Sequence, residues 1–197
     1  MLRRYGGGII GAAVAVVVAT GGYEAWSAHK KSAANQQAAE FLAASAIADG
    51  PADHRKDALP VLLDLAQNGS EGYRTLARLR AAGVLADSQD LKGALAQWET
   101  VAADSSADAD LRGFADLQWA LHQIDNGDPS AVQTRLQKLT GAGATWRGMA
   151  LEGEALLAMR QGQTDQARAL LKSLVADPTV TDSVRGRAGG LLQQIGN

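Results

Sequence analysis

Three histidines, His29, His54 and His122, are the side chains of this 197-residue chain best suited to hold a metal or to shuttle protons near neutral pH. They fall in separate segments, and none has a second donor at the i+4 spacing that places two ligands on one helix face. Cysteine is absent, which removes disulfides and thiolate metal sites together. Glu152 and Glu154 come nearest to a carboxylate pair, but i, i+2 positions on a helix point to different faces, so joint acid–base work is not expected of them. Gly141-Ala142-Gly143 lacks the further glycine and the preceding strand of a dinucleotide-binding loop and reads as a helix-ending turn. With no nucleophile elbow and no phosphate loop either, the expectation is a protein that is not an enzyme and carries no cofactor or metal.

The elements that would position any site are helices. Hydrophobic residues make up 46% of the chain, aromatic ones only 5%, and glycine occurs 22 times. An alanine-rich composition with few aromatic and β-branched residues favours close-packed helices over a β-sandwich. The formal charge of −2 leaves no basic surplus to neutralise phosphates, which argues against nucleic-acid binding and for a protein partner.

The first 28 residues read as a membrane anchor. Tyr5 to Tyr23 contain no Asp, Glu, Lys or Arg, and at about 1.5 Å per residue the stretch nearly covers the roughly 30 Å hydrocarbon core. Arg3 and Arg4 precede it, and Tyr5, Tyr23 and Trp26 stand where interfacial aromatics belong. A cleaved signal peptide is the rival reading, with Ala25 and Ser27 as a small-x-small site. The apolar region is longer than the usual 7 to 15 residues, so an uncleaved anchor is favoured. The expected topology is N-terminus cytoplasmic and body outside, although Lys30 and Lys31 offset the positive-inside bias. Gly7 and Gly11, four apart, are candidates for contact with another membrane helix.

From residue 29 to 197 the chain reads as one helical domain. Apolar residues recur at three and four spacings between turn signals such as Asp49-Gly50-Pro51, Asn68-Gly69-Ser70 and Asn126-Gly127-Asp128-Pro129. The pattern predicts helices near 32–48, 53–67, 71–86, 90–103, 108–125, 129–140, 145–161, 164–176 and 181–195. Compared with one another, these segments share four columns at intervals of 36, 38 and 35 residues: Ala46, Ala82, Ala120, Ala155; then Ala58, Ala94, Val132, Ala167; then Leu62, Trp98, Leu136, Leu171; then Leu65, Val101, Leu139, Leu174. A first helix needs a small residue where the second crosses it, and the second needs a small residue followed by large ones at i+4 and i+7. Such hairpins expose an apolar face when alone and must stack.

The interval and the last unit, Leu156 to Leu171, resemble a tetratricopeptide repeat, with Ala155, Gly162, Ala167 and Leu171 at that motif's small, turn, small and large positions. The layout of short leader, single span and array, together with the segment WRGMALEGEALL at 146–157, resembles the ancillary subunit of the bacterial SecYEG translocon. That resemblance implies an all-α protein: a single transmembrane helix, then a superhelical array of αα-hairpins closed by a C-terminal capping helix. It further implies a scaffold of the inner membrane with a periplasmic body. Such a scaffold docks beside SecYEG, partners a membrane-anchored periplasmic chaperone of the peptidyl-prolyl isomerase type, and helps hand over exported chains. Only Met1 to Arg4 precede the span, a shorter leader than the family's. The alternative is a secreted periplasmic repeat adaptor for envelope assembly, released by signal cleavage.

Trp98 and Trp119 fall at core or near-core positions. Trp146 follows the Gly141-Ala142-Gly143 turn and begins a helix, either as a staple against the preceding hairpin, the favoured reading, or as an exposed anchor. Tyr73, Arg74, Arg78, Phe114 and Asp116 lie on first helices, the set that lines the inner surface of such arrays. With Trp146 they are the candidate partner contacts.

Overall fold

The computed structural model describes residues 32 and 34–196, and every regular element among them is helical. Helix α1 runs through 34–48. A short 3-10 turn, Arg55–Ala58, leads into α2 (Leu59–Asn68). There follow α3 (Glu71–Asp87), α4 (Leu91–Ala103), α5 (Ala109–Gln123), α6 (Pro129–Gln137), α7 (Arg147–Arg160), α8 (Thr164–Ala176) and α9 (Asp182–Gly196). No helix among the described residues is long and apolar enough to cross a membrane. The expected span Tyr5–Tyr23, with Gly7 and Gly11, lies outside the described residues, as does His29.

The turn residues that punctuate the sequence act as caps. Asp90 accepts from the Gly93 amide at 2.9 Å, Asp108 from the Asp110 amide at 2.8 Å, and Asp128 from the Ser130 amide at 3.2 Å. Each satisfies an amide that the first turn of a helix leaves without a partner. Two hairpin turns share one backbone shape: Gln89 (φ 66°) and Gly162 (φ 74°) stand seven residues after Ala82 and Ala155 respectively. The left-handed conformation suits Gly162 and strains Gln89.

Five apolar clusters run along the stack; a small one, Leu65, Ala66 and Ala77, joins α2 to α3, and each of the other four joins one hairpin to the first helix of the next. Ala44, Ala48, Ala58, Leu62, Ala81 and Val84 link α1 and α2 to α3, and Ala82, Ala94, Trp98, Val101 and Ala115 link α3 and α4 to α5. Leu117, Ala120, Val132, Leu136 and Ala150 link α5 and α6 to α7; Ala155, Leu171, Leu174, Val184 and Ala188 link α7 and α8 to the capping helix α9. Every member of the four columns is buried except Ala46.

Two boundaries and one packing residue differ from expectation, each for a local reason. Helix α2 begins at Leu59 and not near 53, because Pro60 lacks an amide hydrogen and is tolerated only in a first turn. Helix α6 ends at Gln137 and not near 140: Leu139 and Thr140 donate three residues back, to Leu136 and Gln137, tightening the last turn while leaving Leu139 buried. Ala46 is exposed, and the small residue that packs in α1 is Ala44, because the turn at 49–58 holds two residues more than the column assumed.

Arginines fasten consecutive units at nearly constant sequence separation. Arg80 donates to Ser45 O at 3.3 Å and pairs with Asp49; Arg160 donates to Ile124 O at 2.6 Å. Arg135 pairs with Glu99, and Arg187 holds both Glu152 oxygens, at 2.7 and 2.6 Å. The partners Ser45, Glu99, Ile124 and Glu152 lie 35 or 36 residues upstream.

Candidate functional site

First helices carry two kinds of surface. The small column turns to the stacked hairpins, and a second stripe turns to an open trough. On α3 that stripe is Leu76, Leu79, Arg80 and Gly83; with Phe41, Trp98, Phe114 and Gln118 it lines a cavity of about 310 Å³ across α1, α3, α4 and α5. Leu121 of α5 carries the stripe onward, followed by Ile124 and Asp125 just past the helix end. These line a second cavity of about 670 Å³ with Leu156, Met159, Arg160 and the Glu152–Arg187 pair. Both cavities take lining residues from α5, one reaching back to α1 and the other forward to α9. Each combines apolar with polar or charged lining residues, the composition of surfaces that recognise peptides or helices. Leu76, 37% exposed, offers uncovered apolar area.

Of the six expected contact residues, the structure brings Arg74 and Arg78 together beside Asp104 and Phe114 against Trp146, and sets Tyr73 and Asp116 apart. Tyr73 packs against Phe41 of α1, ring centroids 6.1 Å apart, and Phe114 lines the trough. Arg78 turns instead to Asp104, at 3.9 Å, in the turn after α4. Arg74 also lies near Asp104; hydrogen bonds from Ser106, then these two guanidinium charges, hold that carboxyl below the usual range. Asp116 is only 9% exposed and is bonded to Arg135 Nη1 at 2.6 Å, so its carboxylate is engaged inside the array. Trp146 is the cap residue preceding α7; its Nε1 donates to Asp110 O at 2.8 Å and its ring lies 5.2 Å from Phe114. That is the staple geometry.

Leu76, Arg80, Gln118, Leu121 and Met159 complete the trough and were not singled out from sequence. The available signal was their spacing: Leu76, Arg80 and Gly83, like Phe114, Gln118 and Leu121, recur at four and three residues beside the alanine column.

Among the described residues no group of three or more His, Asp or Glu is placed to hold a metal. His122 lies 4.6 Å from the Trp98 ring, with Gln118 O 2.8 Å from its Nδ1. His54 sits 3.3 Å from Asp57. The two glutamates diverge: Glu152 meets Arg187, whose guanidinium its hydrogen bonds hold above the ordinary value, whereas Glu154 lines a small recess with Gln133 and Gln137, where burial pushes its carboxyl up.

A stack of helical hairpins with an inner trough defines an α-solenoid built for holding other chains. The chain belongs to the tetratricopeptide repeat-like domain family, whose profile matches residues 2–179. No curated protein and no solved structure matches it significantly.

Proposed function

We propose that this protein is a non-catalytic scaffold of the bacterial cell envelope that holds a segment of a partner protein in the trough. The apolar lining residues Phe41, Leu76 and Phe114 of one cavity and Leu121, Leu156 and Met159 of the other carry this reading, because two such cavities along the first helices suit a helix or an extended chain better than a small molecule. The proposed setting is the inner membrane, with residues 1–28 as a single-pass anchor, the N-terminus cytoplasmic and residues 29–197 periplasmic. The proposed partners are the SecYEG translocon and a membrane-anchored periplasmic chaperone of the peptidyl-prolyl isomerase type, with handover of exported proteins as the task. Support comes from the uncharged stretch Tyr5–Tyr23 and from the family match, which begins at residue 2 and so takes the leader in with the repeats.

The test is site-specific photocrosslinking of the full chain in spheroplasts, with the photoreactive residue at Leu76, at Leu156, or at exposed Lys172 on α8. Crosslinks to the chaperone from Leu76 and Leu156 but not Lys172 are expected. Equal crosslinking from all three positions, or none from the trough, rejects the site. Protection of the body from protease added to intact spheroplasts rejects the topology.

A further inference from the structure

The first hairpin keeps one face bare. In α3, α5 and α7 one alanine seats each unit on the hairpin before it, and these residues, Ala77, Ala115 and Ala150, are all 0% exposed. Ala77 clusters with Leu65 and Ala66 of α2, Ala115 with Trp98 and Val101 of α4, and Ala150 with Leu136 of α6 and Leu139 just past it. Ala39 of α1 stands 38 residues before Ala77, as Ala77 stands before Ala115. Ala39 is nevertheless exposed, with Ala43 and Ala46 on the same helix. So are Leu42 (66%) and Ile47 (41%) of α1 and Val61 (39%) of α2. Among the described residues nothing covers this face.

Three filled seats give the shape that fits a fourth, a helix, and charge gives its kind. Glu40, one turn before Ala43, and Asp64, one turn after Val61, line a recess of about 240 Å³ between α1 and α2 at one end of the bare face. Gln36 Nε2 donates to Glu40 Oε1 at 2.9 Å, and Asn68 Nδ2 to Asp64 Oδ1 at 2.7 Å. Both donors are neutral amides. Residues 34–68 hold five carboxylates against two cations, Arg55 and Lys56, and Arg55 turns away to Asp87. Among the described residues no cation pairs with Glu40 or Asp64. A second copy of this face, or an anionic lipid surface, would set like charges together.

We propose that the bare face of α1 and α2 seats a helix of a partner protein, whose apolar side lies on Ala39, Ala43 and Ile47 and whose lysine or arginine enters the recess between Glu40 and Asp64. The small side chains let a helix backbone approach closely, and the cation gains charge-assisted hydrogen bonds where the carboxylates now hold neutral amides. Phe41, which lines the trough, stands on the other side of α1 from Ala39 and Ala43, so this seat is separate from the trough and independent of what the trough holds.

The chain lacks cysteine, so Ala43→Cys in the purified full chain reports on the seat alone. The probe is a synthetic helical peptide of about five turns, with alanine and leucine on one side and lysine on the other. Its twin carries glutamate in place of lysine. The lysine peptide is expected to slow maleimide labelling of Ala43→Cys by at least about fivefold and to leave Ala96→Cys, exposed on α4, unchanged, whereas the twin slows neither. Adding Glu40→Gln and Asp64→Asn should raise the peptide concentration needed by at least about tenfold. Equal protection by both peptides, or by neither, overturns the proposal. Slow labelling before any peptide is added overturns it too, because another part of the chain or a second copy then occupies the face. In intact spheroplasts, a photoreactive residue at position 43 is expected to crosslink to an amphipathic segment of another protein bearing lysine or arginine, sequenced by tandem mass spectrometry, with lower yield in the Glu40→Gln/Asp64→Asn background. Crosslinks to lipid or to the chain itself reject the partner helix.

Discussion

Arg135 on α6 donates from Nη1 to Asp116 Oδ1 on α5 at 2.6 Å, and its guanidinium carbon lies 4.1 Å from the centre of the Trp119 ring. Removing the cation strands a carboxylate that is 9% exposed. Arg135→Ala is therefore expected to cost about 3 kcal/mol, the lower end for breaking a buried pair, because Lys138 at 3.9 Å offers partial replacement. Adding Asp116→Leu should recover more than half of that loss in urea unfolding. Additive losses would show that the two residues act separately.

The small and large columns make opposite demands on volume. Ala120→Leu or Ala155→Leu should cost about 1–3 kcal/mol through overpacking, and Leu136→Ala or Leu171→Ala about 2–5 kcal/mol through cavities. Ala46→Leu, at the exposed member of the first column, should change stability by less than about 0.5 kcal/mol. Thermal melts of the full chain check all five.

Glycines on different first helices should differ in sign when replaced by alanine. A Cβ on Gly113 would meet Trp146 Cδ1 at 2.9 Å, and one on Gly153 would meet Leu136 Cδ2 at 3.0 Å, whereas a Cβ on Gly83 meets nothing within 4 Å. Gly113→Ala and Gly153→Ala are expected to destabilise by about 1–3 kcal/mol. Gly83→Ala should stabilise by about 0.5–1 kcal/mol through helix propensity. A stabilised Gly113→Ala variant would mean that the Trp146 staple yields freely.

Acid should loosen the turn between α8 and α9. Hydrogen bonds from the Thr179 hydroxyl and amide, then from Arg147 at 2.5 Å, hold the Asp177 carboxyl down to about 2. A folded-state value below the unfolded one gives stability that is complete above the ordinary value of 3.8 and is lost as pH falls from there toward about 2. Asp177→Asn should therefore unfold more easily than the unchanged chain at pH 6, with the gap closing as pH drops through that window. A gap independent of pH would assign the effect to the amide's shape.

Much of the fold was legible because the same residue types recur wherever a helix crosses its neighbour: Ala82, Ala120 and Ala155 are buried at their expected crossings. Where reading failed, a local constraint outweighed the period. Pro60 delayed α2, and a longer turn moved the packing residue from Ala46 to Ala44. The contact residues were harder, because a first helix has several faces and its neighbours decide which one stays open. Tyr73 and Arg74 are adjacent in sequence, yet one packs on Phe41 and the other lies near Asp104. Asp116 shares its helix with Phe114, but Arg135 arrives from α6 to claim it.

The arginine fasteners, each bridging 35 or 36 residues, set a kinetic rule for the whole chain. No bond among them waits for a distant terminus, so loop-closure entropy stays small and nearly equal at every step. A polypeptide emerging N-terminus first can thus complete each hairpin as soon as the following unit is out. The folding front then trails synthesis or export by about one repeat, and a stalled chain exposes a single unpaired hairpin at its growing end rather than an entire unformed core.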